Sequence, residues 1–149
     1  MGNSLINVSL HIIFHVKSTG CEIQAEHLPR IFRFIGGTIR AMGGRTYTIG
    51  GMPDHVHILT SLPVTMSLAD FVRNIKSNSS RWIKGLNEYY KGFAWQEGYG
   101  AFSVSESMKE AVATYIDNQA RHHQRHTAHE EFALFMKKYG VHDDSAAMD

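Results

Sequence analysis

Residues 45–62 read Arg-Thr-Tyr-Thr-Ile-Gly-Gly-Met-Pro-Asp-His-Val-His-Ile-Leu-Thr-Ser-Leu. Residues 45–50 carry the β-branched and aromatic types of a strand, and 55–62 carry them again. Between them Gly51-Met52-Pro53-Asp54 has the composition of a turn. The whole is predicted to be a hairpin. Pro63 ends it, and Ser67 offers its hydroxyl as the N-cap of a following helix.

Upstream, residues 5–16 are apolar and β-branched and predict a strand. Residues 28–42 predict a helix. Pro29 suits its first turn, Leu28, Ile31, Ile35, Ile39 and Met42 form one apolar stripe, and Gly43-Gly44 stops it. Gly36-Gly37 inside the stripe marks either a close contact with a sheet or a break. Downstream, a helix is expected over 68–88, a strand around 99–104, and a last long helix from near Ser107. A short helix through Phe132, Phe135 and Tyr139 and a disordered tail over 141–149 complete the expectation. The order of elements predicts an α+β, ferredoxin-like (split β-α-β) antiparallel sheet. Two crossover helices cover one face, and the other is left to a partner, a substrate or the extra C-terminal helix.

A chain of 149 residues, 43% hydrophobic and 19% charged, suits one globular domain, here placed over 1–140. No apolar run approaches the roughly 18 residues of a membrane span, so no membrane partner is expected. No secretory signal is evident at Met1–Leu5, and the single Cys21 cannot form an internal disulfide. These features predict a cytoplasmic protein. The net charge of +1 does not announce a nucleic-acid partner, which must be read from local clusters. Histidine is abundant: there are ten, four of them between His122 and His129.

Three patterns carry chemistry. In His55-Val56-His57 the alternation of a strand turns both imidazoles to one face and Val56 to the other. Such a pair can converge on a metal ion, although the tripeptide alone better suits two exposed histidines on an edge or open face. Tyr115 and Gln119, four apart on a helix, project together, with His122 and His123 on much the same side. A glutamine carbonyl suits Mg²⁺ or Mn²⁺ better than zinc. On the helix over 68–88, Arg73, Lys76, Arg81 and Lys84 lie opposite the apolar side. That stripe can track phosphates or simply face water.

The three patterns occur together in one known family. Met52 to Leu59 resembles the His-hydrophobe-His region of the single-tyrosine HUH transposases of the insertion-sequence two-hundred type. Trp95 to Ser105 resembles the segment before their catalytic helix, and Tyr115 to His123 resembles that helix. The resemblance implies that Tyr115 is the nucleophile and that His55, His57 and Gln119 are ligands of a divalent Mg²⁺ or Mn²⁺. It further implies a homodimer acting on single-stranded DNA with hairpins at mobile-element ends, joined through a 5′-phosphotyrosine. Lys17, Arg73, Lys76, Arg81 and Lys84 are candidate DNA contacts, and His122 or His123 a candidate proton acceptor for Tyr115. The alternative is a domesticated relative that binds hairpins without transposing. A zinc hydrolase lacks its His-Glu-x-x-His here, and the paired glycines do not form a phosphate loop.

Overall fold

The computed structural model of the chain describes residues 4–119 and Lys137. The elements follow as β1 (Ser9–His15), α1 (Leu28–Ala41), β2 (Thr46–Met52), β3 (His55–Ser61), α2 (Leu68–Lys84), β4 (Gly100–Ser103) and α3 (Lys109–Asp117). The strands form one antiparallel sheet in the order β2-β3-β1-β4. The connections through α1 and α2 each pass over one strand, which is the ferredoxin-like arrangement that the order of elements predicts.

Strand alternation divides the sheet into two unlike faces. Leu10, Ile12 and Phe14 of β1 and Val56 and Ile58 of β3 meet Ile31, Ile35 and Ile39 of α1 and Phe71, Val72 and Ile75 of α2. Each such side chain contributes about 1.5–3 kcal/mol on full burial, so this layer supplies most of the stability. α1 runs unbroken through Gly36-Gly37, and a Cβ at Gly36 would stand 3.8 Å from the Ile49 side chain. The pair therefore marks contact with β2 and not a break. Gly43, at φ 92°, takes the left-handed conformation that ends the helix.

Several boundaries differ from expectation for identifiable reasons. β1 starts at Ser9, not at residue 5, because its neighbours β3 and β4 end opposite Ser9 and Leu10, and Leu5 is exposed. β2 runs on through Gly50, Gly51 and Met52, which pair with His57, Val56 and His55, so the turn shrinks to Pro53-Asp54. α2 stops at Lys84, not 88: Gly85 caps it, and the Asn87 side chain accepts from the Tyr89 N–H to begin a separate 3-10 turn. The expected helix through Phe132, Phe135 and Tyr139, the His122–His129 cluster and the 141–149 tail lie outside the described residues.

α3 packs on the second face. Val112 and Ile116 bury against Leu59 and Val104, and Tyr115 lies against Ile13 and Phe102. Gly50 makes this approach possible, since a Cβ there would stand 2.4 Å from the Ile116 carbonyl oxygen. The Thr48 hydroxyl donates to the Asp117 carboxylate at 2.5 Å, and the Lys109 ammonium lies 3.9 Å from the Tyr47 ring centroid. Gly50, Thr48 and the bulge residue Tyr47 of β2 thus hold the helix in place.

Candidate active site

The second face of β1 and β3 carries four histidines. His11 and His15 come from β1, and His55 and His57 from β3. His55 and His57 do point the same way, with ring centroids 5.0 Å apart. They are not on an open surface: they are 1% and 2% exposed, enclosed by one another, by His11 and His15, and by α3.

Tyr115 and Gln119 reach them from above. The Gln119 Oε1 lies 3.0 Å from His55 Nε2, and the Tyr115 ring meets His57 edge-on at 5.9 Å. Gln119 stands just beyond the end of α3, and its amide nitrogen is 3.4 Å from the Tyr115 carbonyl oxygen, which keeps the two residues on one side. The structure therefore brings together all four residues singled out by the HUH resemblance.

The surroundings orient both imidazoles. Asp54 Oδ1 lies 2.7 Å from His55 Nδ1. That contact leaves Nε2 as the ring nitrogen turned toward Gln119. His11 Nε2 lies 2.9 Å from His57 Nδ1, so Nε2 is the nitrogen of His57 turned away from that contact. A hydrogen-bond partner behind a ligating histidine fixes its ring orientation. Gln96, from the loop before β4, clamps the end of β1: its side-chain oxygen accepts from the His15 N–H at 2.6 Å, and its own N–H donates to the His15 carbonyl at 2.8 Å.

His11, His15, Asp54 and Gln96 were not singled out from sequence. His11 and His15 share a strand parity, and Asp54 adjoins the histidine pair, so alternation along residues 9–15 held a usable signal. That β1 lies beside β3 could not be read from either segment alone.

The basic residues separate. Lys17, Arg73, Arg81 and Lys84 are exposed, and Arg73 pairs with Asp70 one helical turn away. Lys76 leaves the outward stripe. Its ammonium donates to the carbonyls of Gln96, Glu97 and Gly98 at 2.5, 3.2 and 3.0 Å, above the Phe14 ring. Burial pushes its pKa below the ordinary lysine value, only partly offset by Glu97. Its three donors tie α2 to the loop before β4. At the start of α3, Lys109 hydrogen-bonds Glu106 at 3.1 Å, which holds the Glu106 carboxyl below its ordinary range and raises Lys109.

The chain as a whole is similar to known proteins. Residues 4–119 match the family described as "Transposase IS200 like". The ISDra2 transposase TnpA of Deinococcus radiodurans is 30% identical over 114 residues, covering 73% of this chain and 81% of that protein. A candidate transposase from Deinococcus radiodurans R1, known from a crystal structure at 1.90 Å, superposes with a TM-score of 0.60 at 22% identity, covering 80% of this chain and 96% of its own. A REP-associated tyrosine transposase bound to a REP hairpin also superposes with a TM-score of 0.60, at 14% identity, covering 100% of this chain and 98% of its own. The two solved structures share the fold.

Proposed function

Since the chain belongs to the IS200-like transposase family, we propose that it cleaves and rejoins single-stranded DNA with Tyr115 as the nucleophile. The observation that carries this reading is the meeting of Tyr115 and Gln119 with His57 and His55, at 5.9 Å between rings and 3.0 Å between polar atoms. A phenol at the edge of an imidazole and amide cluster is suited to covalent catalysis.

The donor set fits a divalent cation. His55 Nε2 and Gln119 Oε1 already stand 3.0 Å apart, and His57 adds a second imidazole on the same face. Together these three residues would hold Mg²⁺ or Mn²⁺, which supplies charge neutralisation at the non-bridging oxygens of a phosphodiester. Asp54 and His11 keep the two imidazoles in the ligating orientation.

The chain's own residues do the rest. The Tyr115 oxygen loses its proton and forms a bond to phosphorus, while the bond from phosphorus to the 3′-oxygen breaks. The products are a 5′-phosphotyrosine link and a free 3′-hydroxyl. A second strand's 3′-hydroxyl then displaces the tyrosine and restores the phosphodiester without ATP. A free phenol has a pKa of about 10, so deprotonation needs help; His122 and His123, the candidate acceptors, lie outside the described residues.

With His55 and His57 buried beneath α3, the helix must lift from β2 before a phosphate can enter. Lys17, Arg73, Arg81 and Lys84 supply exposed cationic contacts for the strand. A structural neighbour is bound to a hairpin, so a hairpin-bearing single strand is the substrate to offer. A homodimer in the cytoplasm completes the reading.

Incubating the protein with such a strand and Mg²⁺ or Mn²⁺ should give a covalent adduct on a denaturing gel. Tyr115→Phe should remove it while leaving the melting temperature near that of the wild type. Adduct formation by the phenylalanine variant overturns the assignment of the nucleophile. Binding without any wild-type adduct would favour a hairpin-binding relative that does not transpose.

A further inference from the structure

We infer that His15, Asp54 and His55 form a second site, overlapping the first at His55, for Zn²⁺ or a similar transition-metal ion, and that its occupation switches the active site off. The inhibitory half of this inference rests on the transposase reading; the binding half does not.

His15 and His55 are direct cross-strand partners at the end of β1 and the start of β3. Their rings stack at 5.1 Å with an interplanar angle of 22°. Asp54, in the two-residue turn, brings its carboxylate to 2.7 Å from His55 Nδ1. One donor atom from each of the three residues lies within 4.8 Å of the other two. Zn²⁺ bonds of about 2.0–2.2 Å place tetrahedral donors about 3.3 Å apart, so binding must draw the donors together and turn the two rings out of their stack.

The donor chemistry selects the ion. Two imidazoles and one charged carboxylate suit Zn²⁺ and its neighbours late in the first transition row. Access comes from a cleft of about 290 Å³ lined by His15, Lys17, Glu22 and Asp54. Asp54 is partly exposed while both histidines are buried, so an ion enters past the carboxylate. The opposite charges of Lys17 and Glu22 at the rim balance, which leaves Asp54 to set the local sign. The cleft has room for a water as fourth ligand.

Inhibition follows from shared residues. The Asp54 to His55 hydrogen bond presents Nε2 of His55 to Gln119. An ion that takes the Asp54 carboxylate removes that bond, and an ion that takes a ring nitrogen of His55 changes its orientation. Either event spoils the set that would hold Mg²⁺ or Mn²⁺.

The test titrates Zn²⁺ into the full chain by calorimetry with Mg²⁺ in excess, for wild type, His15→Gln and Gln119→Ala. Wild type and Gln119→Ala should bind Zn²⁺ alike, and His15→Gln should bind it at least ~10-fold more weakly, the scale on which site-shaping residues act. Zn²⁺ should suppress adduct formation by wild type, and His15→Gln should need at least ~10-fold more of it. Unchanged Zn²⁺ affinity in His15→Gln overturns the inference, as does a loss confined to Gln119→Ala. Should His15→Gln not fold, the ring-nitrogen NMR signals of His15 in wild type decide: they must shift on adding Zn²⁺, and unmoved signals reject the site. A wild type that forms no adduct even without Zn²⁺ counts against the transposase reading, while the calorimetry still decides the zinc site.

Discussion

The face of the sheet beneath α1 and α2 buries Ile12, Phe14, Val56 and Ile58, while the face beneath α3 buries His11, His15, His55 and His57. The same two strands supply both sets by alternation. The first face is closed by two helices of fourteen and seventeen residues, packed through many apolar contacts. The second is closed by a nine-residue helix whose anchors are Val112, Ile116, one carboxylate and one lysine. Permanent burial favours interdigitated hydrocarbon. Polar groups that must meet a substrate need a cover that can be removed, and low local stability is how such covers are made.

Adjacent residues on opposite faces offer the strongest way to break this contrast. Ile58→Ala should cost about 2–5 kcal/mol of unfolding free energy through the cavity it leaves, with the rate of adduct formation per folded molecule little changed. His57→Ala should cost less, about 1–3 kcal/mol from the hydrogen bond it strips from His11, yet should bring adduct formation below detection. Denaturant titration alongside the gel assay measures both. The division of labour fails if the two variants exchange phenotypes.

Gly50→Val sharpens the contrast by separating α3 from the rest. The new side chain meets the Ile116 backbone, and overpacking of this kind costs about 1–3 kcal/mol. Hydrogen exchange should accelerate in α3 while α1 and α2 stay protected. Uniform acceleration across all three helices would mean that α3 belongs to the same cooperative unit as the core.

The smallest effect concerns the start of α3. Lys109 depresses the Glu106 carboxyl, so the folded state binds that proton less readily than the unfolded chain. The contribution is present above the ordinary carboxylate range and is lost as pH falls through the depressed folded value. Carboxyl NMR titration should find Glu106 below an ordinary glutamate, and Lys109→Met should return it to normal. An unshifted Glu106 in wild type would dismiss the ion pair as a support for α3.

Much of the architecture was legible because it rests on local signals. The stripe of Ile31, Ile35 and Ile39, the stop at Gly43 and the cap at Ser67 each act within a turn of chain. Boundaries that depended on a neighbour were misplaced. β1 began four residues late because its partners run out, and β2 ran two residues further because β3 continues to pair with it. Lys76 read as one of four outward cations, whereas tertiary packing brought three backbone carbonyls to its ammonium.

By itself the sequence determined the period of every element and thereby the shared direction of His55 and His57, because alternation and helical repeat are properties of a single segment. The joint presence of the His-Val-His and Tyr115–Gln119 patterns also points to the family. Only the tertiary structure decided that His11 stands behind His57, that His15 and Asp54 flank His55, and that a glycine on β2 admits α3. Those are distances between segments remote in the chain, set by the order of strands and by which helix covers which face, and no single segment encodes them.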